Sequence, residues 1–220
     1  MFIKEDGYVV KTIGNEDELR QAYALRHQIF AQELRWVPET PDDLEIDGYD
    51  TQEATGFGVF SDGSILAYIR FIPSSRPFMI DKDFSCLMDP AHVVRRGPDI
   101  GEISRFCVSA GARQKLPSGQ YTFMFLVKGL YHWCAERDIR FVYSVVETKV
   151  FRLCCAKGII SRPVGAPVIM PDGTEAVAVL IDWRELEEIN RRQRPSMYNW
   201  FFTQNRSRLL PAPSPQLVTG

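Results

Sequence analysis

Six charged residues in this sequence have the types and spacing to do chemistry, and at least three of them sit where apolar residues belong. Residues 15–34 read as a helix whose core stripe is Leu19, Ala22, Tyr23, Phe30 and Leu34, and Arg26 falls on that stripe. The strand at 65–72 places Leu66, Tyr68, Arg70 and Ile72 on one face, so Arg70 is its single charge. In the strand at 102–109 (EISRFCVS), Glu102 and Arg105 are three apart and point to opposite faces of a regular strand. A β-bulge between them would turn both toward one cleft. The loop EIDGYD offers Asp47 and Asp50, with Asp43 and Glu45 beside them. A guanidinium on a core-facing stripe needs carboxylate or carbonyl partners, because an unpaired buried charge costs several kcal/mol. Inward-turned acids of this loop would supply partners for Arg26 and Arg70. The plainer alternatives are a snorkelling or structurally paired arginine, an edge strand with one ion pair, and a solvated acidic loop.

Charge is unevenly spread along the 220 residues. Residues 1–94 carry 8 Lys/Arg and 17 Asp/Glu, a balance of −9; residues 95–162 carry 12 against 5, a balance of +7; the remainder balances at 6 against 6. Apart from chance, this suits an acidic region for a cationic ligand and a basic surface for an acidic partner. No nucleic-acid motif is present, and no apolar run is long enough to span a membrane. The first residues lack a signal-peptide core, so a cytoplasmic location is expected. Five cysteines, two of them adjacent (Cys154, Cys155), suit neither a disulfide framework nor a zinc site; three scattered histidines predict no metal.

The elements that must position these charges follow from periodicity. A strand is expected at 8–13, then the helix at 15–34 capped by Asn15 with Glu18 three positions on. An acidic loop at 35–53 precedes a hairpin of strands 55–60 and 65–72. An irregular stretch at 73–100 includes a short helix near 81–88. The strand at 102–109 is followed by a helix from Ser118 to residue 136, apolar nearly all round and therefore central. A strand at 140–146, a helix at 148–157 ending at Gly158, a hairpin of 164–170 and 175–182, and a helix at 183–193 complete the order. This predicts an α+β domain, an α/β/α three-layer sandwich, over residues 1–200, with a flexible tail at 201–220.

In order and spacing, Leu25-Arg26 with Phe30, Trp36, Asp47, Asp50, Arg70, Phe84 and Glu102-Ile103-Ser104-Arg105-Phe106 resemble the LuxI-type acyl-homoserine-lactone synthases, over about residues 20–160. The resemblance implies a GNAT-like acyltransferase fold with a mixed, splayed central sheet. It implies an acyl donor, either acyl-carrier protein or acyl-CoA, and S-adenosyl-L-methionine as acceptor, with no tightly bound cofactor and no metal. The pantetheine loop of ordinary GNAT enzymes is absent; Ala112 to Gly119 stands in its place. Ser144 and Val146 occupy a region where members using 3-oxo chains often carry threonine.

Under this resemblance Glu102 is the candidate base for the acceptor amine, with Arg26, Arg70, Arg105, Asp47 and Asp50 as the surrounding catalytic set. Phe30 and Trp36 would stack on the acceptor's adenine or sulfonium. Ser104, Phe106, Ser144 and Val146 would contact substrate, and Phe84, Met124 and Phe151 would line the acyl pocket. Arg113, Lys115, Lys149, Arg152 and Lys157 are the expected docking residues for an acidic carrier, and the helix start at Ser118 would receive the pantetheine phosphate. A related N-acyl amino acid synthase using another amine, and a carrier-binding module without catalysis, remain alternatives at this point.

Overall fold

Asn15 starts the first helix as its side chain predicts: its Oδ1 accepts the Glu18 N–H at 2.9 Å in the computed structural model, which describes residues 2–203. Glu18 reaches back one residue further than a standard capping box, to the Gly14 N–H. The helix α1 (Glu16–Arg26) then changes character. From His27 to Glu33 its turns widen, and the Leu34 N–H bonds to the Ile29 carbonyl five residues back. Such widening is common at functional sites. The turn closes with the Trp36 N–H on the Phe30 carbonyl, which brings those two rings together.

A nine-stranded mixed sheet forms the centre. Its strands are β1 (Phe2–Glu5), β2 (Tyr8–Thr12), β3 (Thr55–Ser61), β4 (Ser64–Pro73), β5 (Ile100–Val108), β6 (Phe141–Glu147), β7 (Arg162–Pro163), β8 (Val168–Ile169) and β9 (Glu175–Asp182). The order is β1-β2-β3-β4-β5-β6-β9-β7, with β8 also on β9. Strand β1 was not anticipated. It pairs with β2 through Asp6-Gly7, both in the left-handed region, the backbone a two-residue hairpin requires.

Two helical layers cover the sheet, which gives the expected three-layer α+β arrangement. On one face α1 packs over Tyr68 and Cys107. On the other lies α3 (Thr122–Ala135), buried from Thr122 to Cys134; its Trp133 meets Phe57 and Phe71 edge-on at 5.2 and 5.0 Å. Helix α3 begins four residues later than Ser118, because Leu116 to Gly119 form a turn, with the Gly119 N–H on the Leu116 carbonyl and Gly119 at φ +81°. Three further helices follow among the described residues: α4 (Thr148–Ala156), α5 (Trp183–Gln193) and α6 (Pro195–Phe201). Gly158 follows α4 at φ +93°. Phe201 and Phe202, expected in the tail, are buried against the α3 layer, so the folded unit runs past residue 200. The rest of the expected tail, 204–220, lies outside the described residues. All five cysteines are free. No helix among the described residues is long and apolar enough to cross a membrane, and none of their His, Cys, Asp and Glu side chains cluster as a metal site.

The sheet is splayed at its middle. Strands β5 and β6 run parallel and pair only from Ile100↔Phe141 to Ile103↔Ser144. Beyond that point β5 stays with β4 and β6 stays with β9, so two unpaired edges diverge around a cleft. A short helix, α2 (Met79–Lys82), walls this cleft.

Candidate active site

A bulge is present, but it lies further along than the expected interval between Glu102 and Arg105: it falls between Ser104 and Cys107, with Arg105 inside it. Tyr68 pairs with Cys107 but Arg70 pairs with Ser104, so β5 spends three steps where β4 spends two. Arg105 takes the strain in the left-handed region, at φ +55°. A non-glycine residue there costs roughly 1–3 kcal/mol. The kink turns Arg105 to the side that Arg70 and Glu102 share.

Three arginines and three carboxylates interlock there. Arg26 and Arg70 are 0% and 1% exposed, which excludes snorkelling. Arg26 takes Asp50 in a two-pronged contact (Nη1–Oδ1 2.7 Å, Nη2–Oδ2 2.9 Å) and donates from Nε to Glu45 at 2.6 Å. Arg70 takes Asp47 the same way (2.6 and 2.9 Å), shares Asp50 Oδ1 at 2.7 Å, and donates from Nε to Ser104 Oγ at 3.1 Å. Arg105 reaches Glu45 at 2.8 Å and Asp47 at 2.7 Å. Charges balance within the set, as ions this deep require. Burial works to raise the Asp47 pKa, but Arg70 and Arg105 prevail and hold it at about 2. Glu45 was expected only as one of the loop's neighbouring acids, not as a member of the catalytic set. The signal for it was arithmetic: three inward guanidiniums need a third acid. Asp43, its neighbour, stays exposed.

The six candidates therefore meet, but not around one cavity. Glu102 and Arg105 line the cleft, whereas Arg26, Arg70, Asp47 and Asp50 stand behind it. They saturate one another's hydrogen-bonding capacity and leave little for a substrate.

Glu102 is different, since it contacts no guanidinium. Its carboxylate, 1% exposed, accepts the Met79 N–H at 2.5 Å and the Ile80 N–H at 2.9 Å. Burial raises its pKa to about 7, against the opposing pull of those two amides. A carboxyl group titrating near neutrality at a cleft wall can accept a proton from an amine.

The cleft encloses about 510 Å³ and contains the candidates Phe30, Trp36, Phe84, Ser104, Phe106, Ser144 and Val146 among its walls. Phe30 lies between Trp36 (centroids 6.0 Å, 29° between planes) and the Arg105 guanidinium (5.5 Å). Two expectations fail. Met124 belongs to the core under α3 and borders a different cavity. Phe151 is absent from the wall, and Val150 faces it instead; adjacent residues on α4 point about 100° apart. Sequence reasoning also missed Met170 and Ala176, which the β8–β9 hairpin brings to the apolar end.

The docking candidates divide. Arg113 is held by Glu33 at 2.6 Å, and Lys149 lies on Glu147 at 2.6 Å. Arg152 is exposed on α4. Lys115 and Lys157 flank the Tyr121 ring at 5.7 and 4.7 Å. With Arg194 they border a second cavity of about 370 Å³ whose lining contains no acid.

Comparison with known proteins agrees with this geometry. Residues 11–189 match the family model described as autoinducer synthase. The isovaleryl-homoserine lactone synthase of Bradyrhizobium diazoefficiens is 27% identical over 80% of this chain and 79% of its own length. An acyl-homoserine-lactone synthase of Ralstonia nicotianae is 29% identical over 71% and 78%. The solved structure of the CoA-dependent acyl-homoserine lactone synthase BjaI with SAM and isopentyl-CoA superposes with a TM-score of 0.73 at 24% identity, covering 84% of this chain and 89% of that one, and shows the shared fold. Matched over most of its length by the family model, the chain belongs to the autoinducer synthase family and is an acyltransferase of the acyl-homoserine-lactone synthase type.

Proposed function

We propose that this acyltransferase moves an acyl group from a thioester, of coenzyme A or of acyl-carrier protein, onto the amine of S-adenosyl-L-methionine, and then closes a homoserine lactone. The observation that carries this reading is Glu102, a carboxylate raised toward neutrality at the wall of a cleft opened by two diverging strands.

In the first step Glu102 takes the proton from the acceptor's ammonium. The freed amine attacks the thioester carbonyl, an amide forms, and the thiol leaves. Negative charge on the carbonyl oxygen is met by backbone N–H groups along the unpaired edges of β5 and β6. In the second step the acceptor's own carboxylate attacks the carbon bearing the sulfonium. The ring closes and methylthioadenosine departs. This step is intramolecular and depends on how the acceptor is folded in the cleft.

The remaining residues divide the labour. Phe30 and Trp36 offer aromatic faces to the adenine or sulfonium. The lattice of Arg26, Arg70, Arg105, Glu45, Asp47 and Asp50 holds β4, β5 and the acidic loop in one arrangement, and Arg105 presents its outer side to the acceptor. Phe84, Val146, Val150, Met170 and Ala176 receive the acyl chain. Lys115, Lys157 and Arg194 suit the phosphate on the donor's pantetheine arm, whichever carrier holds it. BjaI, solved with SAM and isopentyl-CoA, supports both the acceptor and a thioester donor.

The test is Glu102→Gln. Turnover falls by about 10²–10⁴-fold while the thermal unfolding midpoint stays near that of the parent. Undiminished turnover would remove Glu102 as the base.

A further inference from the structure

The two amides that grip Glu102 sit over a buried cluster of Phe78, Met79, Ile80, Leu87, Ile100 and Tyr143. They belong to Met79 and Ile80, the opening residues of α2, a single turn of four residues inside the proline-rich stretch between β4 and β5. A second set of contacts reaches that turn from the partly exposed side chain of Arg96. The Arg96 guanidinium stacks over the Phe78 ring at 3.8 Å, donates to the Arg76 carbonyl at 2.9 Å, and pairs with Asp81. Phe78, fully buried, immediately precedes the two amides, and Asp81 immediately follows them.

We propose that Arg96 is a positioning residue for acyl transfer: by clamping Phe78, Arg76 and Asp81 it fixes the Met79 and Ile80 amides against the Glu102 carboxylate. This rests on Glu102 acting as the base. An exposed ion pair alone contributes little. Arg96 adds a stack on a buried ring and a captured carbonyl, and its three contacts bracket the two amides on both sides.

Several groups face Glu102. Arg70 from β4 favours its ionised form; Asp81 from α2 opposes it. Tyr49, whose hydroxyl bonds Asp83, approaches from the acidic loop, and Tyr143 stands opposite on β6. Loss of the clamp acts in one direction. Slackened amides stabilise the carboxylate less, and an uncompensated Asp81 repels it more, so Glu102 holds its proton to higher pH.

The experiment measures kcat/KM against pH by methylthioadenosine release, with S-adenosylmethionine and the best donor from an acyl-CoA and acyl-carrier-protein series. The proteins are the parent, Arg96→Met, Arg96→Lys and Glu102→Gln, with thermal melts of each. Acceptor ionisation is common to all four, so differences belong to the enzyme. The acid limb should move up by about one pH unit in Arg96→Met, less in Arg96→Lys, which keeps the charge, and should vanish in Glu102→Gln. If the limb vanishes in Glu102→Gln yet stays in place in Arg96→Met, Glu102 remains the base and the positioning role is overturned, Arg96 then serving stability alone. If the limb persists in Glu102→Gln, the base assignment fails and this inference fails with it.

Discussion

Arg26 and Arg70 donate to the same oxygen: Asp50 Oδ1 is 2.7 Å from Nη1 of each. One carboxylate thus holds together two guanidiniums that come from the first helix and the middle of the sheet, both out of contact with water.

Removing that charge leaves two cations short of a partner in the interior. Asp50→Asn, which keeps the shape, should cost about 3–5 kcal/mol in urea unfolding. A loss below about 1 kcal/mol would mean that the lattice behaves like a surface ion pair. Arg26→Ala should lose activity together with stability, since the lattice holds β5 in its bulged course.

Acid should undo the same lattice. The Asp47 pKa in the fold, about 2, lies below its ordinary 3.8. A group depressed on folding adds stability that is fully present above 3.8 and is lost as pH falls through 2, here roughly 2 kcal/mol. The stability gap between the parent and Asp47→Asn should therefore be wide at neutral pH and shrink below pH 4. A gap that does not change with pH would contradict this account of Asp47.

The lattice was largely legible in the sequence, because arginines on apolar stripes demand acids and the EIDGYD loop is rich in them. The bulge was legible for a related reason: Glu102 and Arg105 have the wrong spacing for one face of a regular strand. What escaped was set by geometry outside any local pattern. Glu45 could be chosen over Asp43 only by knowing how the loop crosses Arg105. Met170 and Ala176 reach the cleft because a hairpin distant in sequence folds over it. The support of Glu102 by α2 was hidden because a four-residue turn among prolines has no periodicity to read. Asp6-Gly7, just before the strand at 8–13, is by contrast a readable local signal for the β1–β2 hairpin.

Acyl preference should follow the apolar end of the cleft. Val146 is partly exposed on its wall. Val146→Phe adds bulk there, so products of a mixed-donor assay should shift toward shorter chains while total turnover with the shortest donor holds. An unchanged product distribution would place the acyl chain elsewhere.

The second cavity predicts an effect confined to the donor. Lys115→Glu with Lys157→Glu reverses two of the three charges around it. KM for the acyl donor should rise about tenfold or more, most at low salt, with KM for S-adenosylmethionine unchanged. Equal effects on both substrates would point to structural damage instead.

The central claim concerns which bonds form and break. Purified protein incubated with S-adenosylmethionine and a panel of acyl thioesters should yield, by mass spectrometry, an N-acyl-homoserine lactone and methylthioadenosine in equal amounts. Acylated product without methylthioadenosine, or no thioester consumption with any donor, would contradict it.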